Sequence, residues 1–286
     1  MNMTDTSDTF ESYRPLMFAI AYRMLGSAME AEDIVQEAFL RYQAADHVES
    51  PKAFLSTVVT HLCLDQLKSA QAKREEYVGP WLPEPLLTPA TPFDSRYESI
   101  SMAFLVLLES LTPVERAVFL LREVFDYDYR EIAHVVGKEE AACRQLFHRA
   151  RQHVAEHRPR FQASREEHQQ MLEKFMQVAM NGDLAAMTDL LTEDISLYSD
   201  GGGKASAATR PLYGRDVVGR MLHGLWSRAP ATFTYQIREV NGRPALVVFD
   251  EQHQPFLISM FEVEEGRISK LFIMRNPDKM RLISEE

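Results

Sequence analysis

Apolar positions recur at helical spacing from about Tyr13 to Arg74, and that period predicts amphipathic helices throughout the stretch. Tyr77-Val78-Gly79-Pro80-Trp81-Leu82-Pro83-Glu84-Pro85 and Thr88-Pro89-Ala90-Thr91-Pro92 then break the pattern. Proline lacks a backbone N–H and has a fixed φ, so this segment is expected to be an extended, rather stiff connector. A connector in solvent has little use for Trp81 and Leu82, so it is expected to dock against something. Helical periodicity returns from Glu98 to Val154. Thr112-Pro113-Val114-Glu115 reads as a capping box with proline at the first helical position. Asp128 opens a further helix, Gly137 supplies a turn, and a basic helix carries Arg144 to Arg151: a helix–turn–helix.

After Pro159 the pattern changes. Arg165 to Met180 reads as an amphipathic helix stopped by Asn181-Gly182-Asp183, with a second helix over Leu184 to Leu191. A strand at Ile195 to Tyr198 and a helix at Asp216 to Ser227 follow. Thr234 to Arg238 alternates with period two, Asn241-Gly242 is a hairpin turn, and Ala245 to Phe249 is the partner strand. Two more strands, Phe256 to Val263 and Ile268 to Met274, are joined at Glu265-Gly266. Helices followed by a curved antiparallel sheet predict an α+β cone.

A chain of 286 residues has room for two or three modest cores. Its net charge of −11 argues against unaided coating of nucleic acid, but the average hides an asymmetry. Residues 27–37 hold four acids and no base, whereas 144–160 hold five arginines and three histidines against Glu156 alone. Local charge decides where phosphate binds. The polar, acidic start is not a signal peptide, and no apolar run approaches the ~18 residues of a membrane span. Cys63 and Cys143 fall inside apolar helical patterns and are expected to be buried thiols of a cytoplasmic protein. Neither a metal site nor a cofactor is expected.

On the helix from Glu32 to Tyr42, Ile34, Val35, Ala38, Phe39 and Tyr42 have core spacing. Asp33, Gln36, Glu37 and Leu40 form a separate stripe, in which an apolar residue sits among acids. Spacing alone leaves a solvated face and a partner site equally open. Ala31 to Tyr42, however, resembles the polymerase-binding segment of extracytoplasmic-function sigma factors. That resemblance implies that Asp33, Gln36, Glu37 and Leu40 grip the β′ coiled coil of core RNA polymerase, and that the β flap and promoter DNA are further partners.

Ser50 to Leu55 and His61 to Lys68 resemble the segment that such factors use on the −10 element, where a flipped base and single strand need cations beside apolar support. Lys52, Lys68, Lys73 and Arg74 are then expected on phosphate, with His61 and Asp65 facing bases; His61 departs from the Asn or Arg often found there. In the helix–turn–helix, the small residues Ala141, Ala142 and Cys143 allow entry into the major groove at the −35 element. Arg144 and Gln145 suit guanine and adenine edges, and His148, Arg149 and Arg151 suit phosphates. Glu139 stands where a capping Ser or Thr is usual.

Residues 165–286 resemble SnoaL-like domains of the NTF2-like superfamily, some of which are cyclases. Asp200, His223 and Asp250 can be cast as acid–base groups, although nothing in their spacing demands it. Asp200-Gly201-Gly202-Gly203-Lys204 permits close backbone approach by a partner, and Asn276-Pro277-Asp278-Lys279 ends the sheet at a sharp turn. Together with Tyr77, Trp81, Leu82, Pro83 and Glu84 they resemble the branch of these factors that carries a fused SnoaL-like extension. The expected architecture is multidomain: 1–76 all-α sigma region 2, 77–97 connector, 98–160 all-α sigma region 4, and 165–286 an α+β cone. The expected function is a non-enzymatic, promoter-specific sigma factor, modulated in cis by its cone in place of a separate anti-sigma factor. The connector is expected to dock near Asp200–Lys204, with Lys204 paired to Glu84. The alternatives are a DNA-binding regulator fused to a cyclase-type enzyme and a cone that senses a small-molecule ligand.

Overall fold

The first helical half is built from α1 (Met3–Leu25), α2 (Ala28–Ala44) and α3 (Pro51–Glu75) of a computed structural model. The structure describes residues 3–88, 100–157, 163–228, 232–281 and 283, apart from the side chains of 3–6 and 70–75. Helix α1 starts ten residues before the periodic pattern at Tyr13. After Met3 its early turns are polar as far as Phe10, which is buried against Phe39 with ring centroids 4.7 Å apart. Ser27 caps α2 by accepting the Glu30 amide, satisfying one of the orphan donors of a helix start.

The second helical half comprises α4 (Met102–Glu109), α5 (Pro113–Phe119), α6 (Tyr129–Val136) and α7 (Glu140–His157). Thr112–Glu115 forms the expected capping box, and Asp128–Glu131 forms another at α6. Gly137 ends α6 in the left-handed region, at φ 64°, where a Cβ is disfavoured. A π-helical turn over Leu120–Val124 extends α5, an irregularity with no signature in the hydrophobic pattern. The two halves share one compact unit, in which α3 packs on α5 and α6. Arg116 is buried at the joint; its Nη1 donates to the Met24 carbonyl at 2.6 Å and to Glu109 at 2.5 Å. Burial lowers its pKa to about 10. The hydroxyls of Ser56 and Tyr127 lie 2.5 Å apart nearby.

The C-terminal region forms the other unit, together with connector residues 76–88 and residues 100–103 at the start of α4. Helix α8 (Arg165–Asn181) is capped by Ser164 and stopped by Gly182. Helix α9 (Leu184–Asp189) is shorter than expected because β1 (Leu191–Asp200) begins at once. There follow β2 (Leu212–Tyr213), α10 (Arg215–Trp226), β3 (Thr234–Val240), β4 (Arg243–Phe249), β5 (Pro255–Glu264) and β6 (Arg267–Met274). The sheet order is β2-β1-β6-β5-β4-β3. Asn241 and Gly242 both have positive φ, 52° and 69°, as a two-residue type I′ hairpin requires.

The sheet is mixed, not wholly antiparallel: β1 and β6 run parallel. Parallel neighbours are joined by long crossovers, here the whole course from β2 to β5, so no local turn signal marks the pairing. Leu172, Phe175, Ile195, Leu246, Ile268 and Leu271 fill the core between sheet and helices, with Phe175 edge-on to Phe261 at 4.9 Å. This is an α+β cone, as the order of helices and strands predicts.

Candidate functional site

Helix α2 buries Ala31, Val35, Ala38 and Tyr42 and turns the intended second stripe outward. Asp33, Gln36 and Leu40 are exposed, and Leu40 is 59 % accessible. Glu37 is partly covered and accepts from Arg41 one turn on, at 2.8 Å. Such an exposed pair stabilises by well under ~1 kcal/mol and leaves the acid available. An exposed leucine amid carboxylates and an amide is a patch a partner helix can cover.

The residues assigned to the −10 element lie along α3. His61, Asp65 and Lys68 are exposed. Lys68 donates to Asp65 at 2.9 Å, and that bond holds the Asp65 carboxyl below its usual range. Lys52 is also exposed, yet its ammonium stands 4.5 Å from the ring centroid of Tyr127, a cation–π contact supplied by the second helical half. Lys73 and Arg74 lie on the last turns of α3, and their side chains are outside the described residues.

In α7, Cys143, Phe147 and Ala150 point to the core, Leu146 is partly covered, and Arg144, Gln145, His148, Arg149 and Arg151 are exposed. Arg144 pairs with Glu140 at 3.2 Å and stacks over Tyr129 at 4.5 Å. Arg149 pairs with Glu115 at 3.1 Å. Both are surface contacts that a phosphate or a base edge can displace. Glu139 accepts the Cys143 amide through its carbonyl, so the helix starts there without a capping hydroxyl.

The densest polar constellation is where the connector meets the cone. Asp200, at the end of β1, is fully buried. Its Oδ1 accepts the Tyr77 hydroxyl at 2.6 Å and the Gly202 amide at 3.0 Å; its Oδ2 accepts the Leu82 amide at 2.9 Å and Lys279 Nζ at 2.8 Å. Four donors around one carboxylate, one of them charged, make the burial of that charge tolerable. Lys279 also donates to the Leu82 carbonyl at 2.6 Å and lies 4.1 Å from the Trp81 ring centroid and 5.1 Å from that of Tyr77. Desolvation, and then the Asp200 carboxylate, push the Tyr77 phenol well above its ordinary pKa. Leu82, Pro83 and Glu84 are buried.

The glycines explain the closeness. A Cβ on Gly202 would fall 2.3 Å from Asn276 Nδ2, and one on Gly201 would fall 2.2 Å from the Ala205 carbonyl oxygen. Gly203 faces Val78. Asn276 in turn donates to Tyr77 Oη at 2.9 Å, and Pro277–Lys279 form a 3-10 turn that presents Lys279. The expected Lys204–Glu84 pair is not what forms: Lys204 bonds Asp278, and the cation that meets the connector is Lys279. The lysine that follows the glycines is carried outward by the turn, whereas Lys279 is aimed inward by its own.

A second attachment escaped the sequence reading. Leu87 bridges Val240 in antiparallel fashion, the Thr88 amide donates to Glu239 O at 2.9 Å, and the Asn241 amide donates to Leu86 O at 2.8 Å. Gly242 N also donates to Thr88 Oγ1 at 2.9 Å. The connector thus covers the end of the edge strand β3. A Thr-Pro stretch gives no hint of strand pairing, because the partner edge is ~150 residues distant and proline is a poor strand former. Of the groups cast as acid–base residues, Asp200 is consumed by the connector. Asp250 accepts the Gln252 and Gln254 amides of its own turn, and His223 stands apart on α10.

Comparison with known proteins agrees with this layout. Residues 9–73 match sigma-70 region 2 and residues 101–154 match sigma-70 region 4. The chain is 36% identical over 285 residues to the ECF RNA polymerase sigma factor SigJ of Mycobacterium tuberculosis H37Rv, covering 94% of this chain and 91% of SigJ. It is 30% identical over 282 residues to a probable ECF sigma factor, SigI, of the same species, covering 96% and 94%. The crystal structure of M. tuberculosis SigJ superposes with a TM-score of 0.77 at 33% identity, over 96% of this chain and 98% of that one. With helical and α+β parts both included in those alignments, this chain belongs to the extracytoplasmic-function sigma factors of RNA polymerase.

Proposed function

We propose that this sigma factor is restrained in cis by its own C-terminal domain, which grips the connector between the two promoter-reading halves. As a sigma factor the chain works with core RNA polymerase on promoter DNA; the restraint is the added element. The observation that carries it is Asp200, a buried carboxylate whose donors include the Tyr77 hydroxyl, the Leu82 amide and Lys279. Within the helical unit, Lys52 is engaged by Tyr127 and the buried Arg116 ties the halves together. Those contacts suit a resting form better than a DNA-bound one.

In this reading Asp33, Gln36, Glu37 and Leu40 meet the β′ coiled coil, and the second helical half meets the β flap. Lys52, His61, Asp65, Lys68, Lys73 and Arg74 serve the −10 element, and Arg144, Gln145, His148, Arg149 and Arg151 the −35 element. Tyr77, Trp81, Leu82, Pro83 and Glu84 form the gripped segment; Asp200 to Lys204 and Asn276 to Lys279 form the grip. Because both partners share one chain, the effective concentration is in the millimolar range and even a weak contact stays mostly closed. A loss of ~1.4 kcal/mol raises a small open fraction tenfold. No separate anti-sigma factor is needed.

The test is run-off transcription with core polymerase, comparing the full chain with Lys279→Ala and with a chain ending after residue 160. Higher output from both variants, at equal polymerase binding, is the expected result. Output equal to or below that of the parent contradicts the restraint.

A further inference from the structure

Beside the grip, the cone has a cavity of about 690 Å³, within the range of small-molecule sites. Its body is apolar, with Met221, Leu225, Val248, Phe256 and Leu257 among the lining residues. Its charge is one-sided: among the described residues, Arg220, Arg228 and Arg275 line it and no Asp or Glu does. In a chain with 42 acids against 31 bases, that is not the surface average. Among the described residues, no carboxylate is paired with Arg220 or Arg228. Two further donors at this wall, Arg275 Nε and the Trp226 indole N–H, are buried without an acceptor. Neither group can accept a hydrogen bond, so the deficit at this wall is specifically one of acceptor oxygens. Guanidinium groups match a carboxylate by shape as well as charge.

We propose that this cavity binds an amphipathic acid, a carboxylate on a hydrophobic body, with the head at the arginines and the body over Phe256 and Leu257. The walls lead directly to the grip. Arg275 Nη1 donates to the Ser206 carbonyl at 2.8 Å, its amide donates to Asp200 O at 2.7 Å, and the next residue is Asn276. On the other wall, a Cβ on the connector's Gly79 would lie 3.3 Å from the Ala208 carbonyl oxygen, so Gly79 rests against the segment that lines the cavity. An acid that ties Arg275 and the 206–208 segment together favours the gripped connector, and by linkage the gripped form binds the acid more tightly. This coupling rests on the restraint proposed above; the binding does not.

Isothermal calorimetry on the full chain with dodecanoate, and with dodecyltrimethylammonium as the tail-matched cation, tests the site. Saturable one-to-one binding of the acid alone is expected, at least tenfold weaker in Arg220→Ala/Arg228→Ala. Gly224 lines the cavity, and a Cβ there meets nothing within 4 Å; it lies within α10, where a larger residue favours the helix. Gly224→Phe should therefore obstruct the cavity and weaken binding at least tenfold, with a melting temperature no lower than the parent's. Equal binding of the cation, or undiminished binding by Gly224→Phe, overturns the site. Hydrogen exchange at the Gly79 and Leu82 amides, slowed at least threefold by saturating dodecanoate, supports the coupling; unchanged exchange with binding intact overturns it. If instead transcription proves indifferent to the grip, the calorimetric result stands and the restraint alone fails.

Discussion

Tyr77 holds two hydrogen bonds at once, donating to Asp200 and accepting from Asn276, so its hydroxyl is a sensitive probe of the grip. Its pKa is raised when the connector is docked, first by desolvation and then by Asp200. The docked phenol therefore keeps its proton at pH values where the released one loses it. Docking free energy attributable to Tyr77 is complete below the ordinary phenol value of about 10 and falls as pH rises above it. Tyr77→Phe should cost roughly 1–3 kcal/mol of docking and remove that part of the alkaline weakening. Trp81 fluorescence in a Trp226→Phe background, the chain having two tryptophans, reads both effects. An identical alkaline profile in Tyr77→Phe would refute the assignment. On the promoter-reading side, Arg144→Ala should cost about 1–3 kcal/mol at one base position. Arg151→Ala should weaken binding to all sequences alike and flatten the salt slope. Electrophoretic titrations of holoenzyme against single-base promoter variants separate the two; equal losses on specific and scrambled DNA for Arg144→Ala would contradict base reading.

Elements differ in how plainly the chain announces them. The capping box at Thr112, the helix start at Asp128, the Asn241-Gly242 hairpin and the Gly137 turn were legible because each depends on residues within a few positions. The stripe on α2 was legible for the same reason, since it is a property of one helix face. The parallel β1–β6 pair, the π-helical turn and the Leu86–Thr88 attachment to β3 were not, because each is decided by packing between distant segments. The grip lay between these cases. Trp81 and Leu82 in a proline-rich stretch, together with three successive glycines, announced that something docks. Whether Lys204 or Lys279 faced the connector depended on the direction of two turns. Gly202 lies at φ 58° with Asn276 against it, so Gly202→Ala combines a left-handed backbone cost of roughly 1–2 kcal/mol with displacement of Asn276. Exchange at the Leu82 amide should rise more than tenfold. Gly266→Ala, at φ 72° with open space around it, carries the backbone cost alone and should leave Leu82 unchanged; similar behaviour of the two variants would remove the steric account.

At the scale of the whole molecule, the proposed restraint acts on reach. The 26 residues between Glu75 and Met102 could extend to about 90 Å. With residues 76–88 and 100–103 in the cone's unit, less than about 40 Å of that remains. Promoter elements centred about 25 base pairs apart lie about 85 Å apart along B-DNA, so in the proposed restraint a free connector helps to span them and a gripped one supplies less than half the length. The acidic total charge fits the same proposal, in which the free factor binds DNA weakly and is engaged through polymerase. The most direct test is hydrogen exchange at the Leu82 and Thr88 amides, which donate to Asp200 and to Glu239 O. It should be measured on the chain alone and on its transcribing complex with core polymerase and promoter. Restraint in cis predicts that both amides are protected in the free chain and lose that protection in the complex; full protection in a complex that transcribes would contradict it.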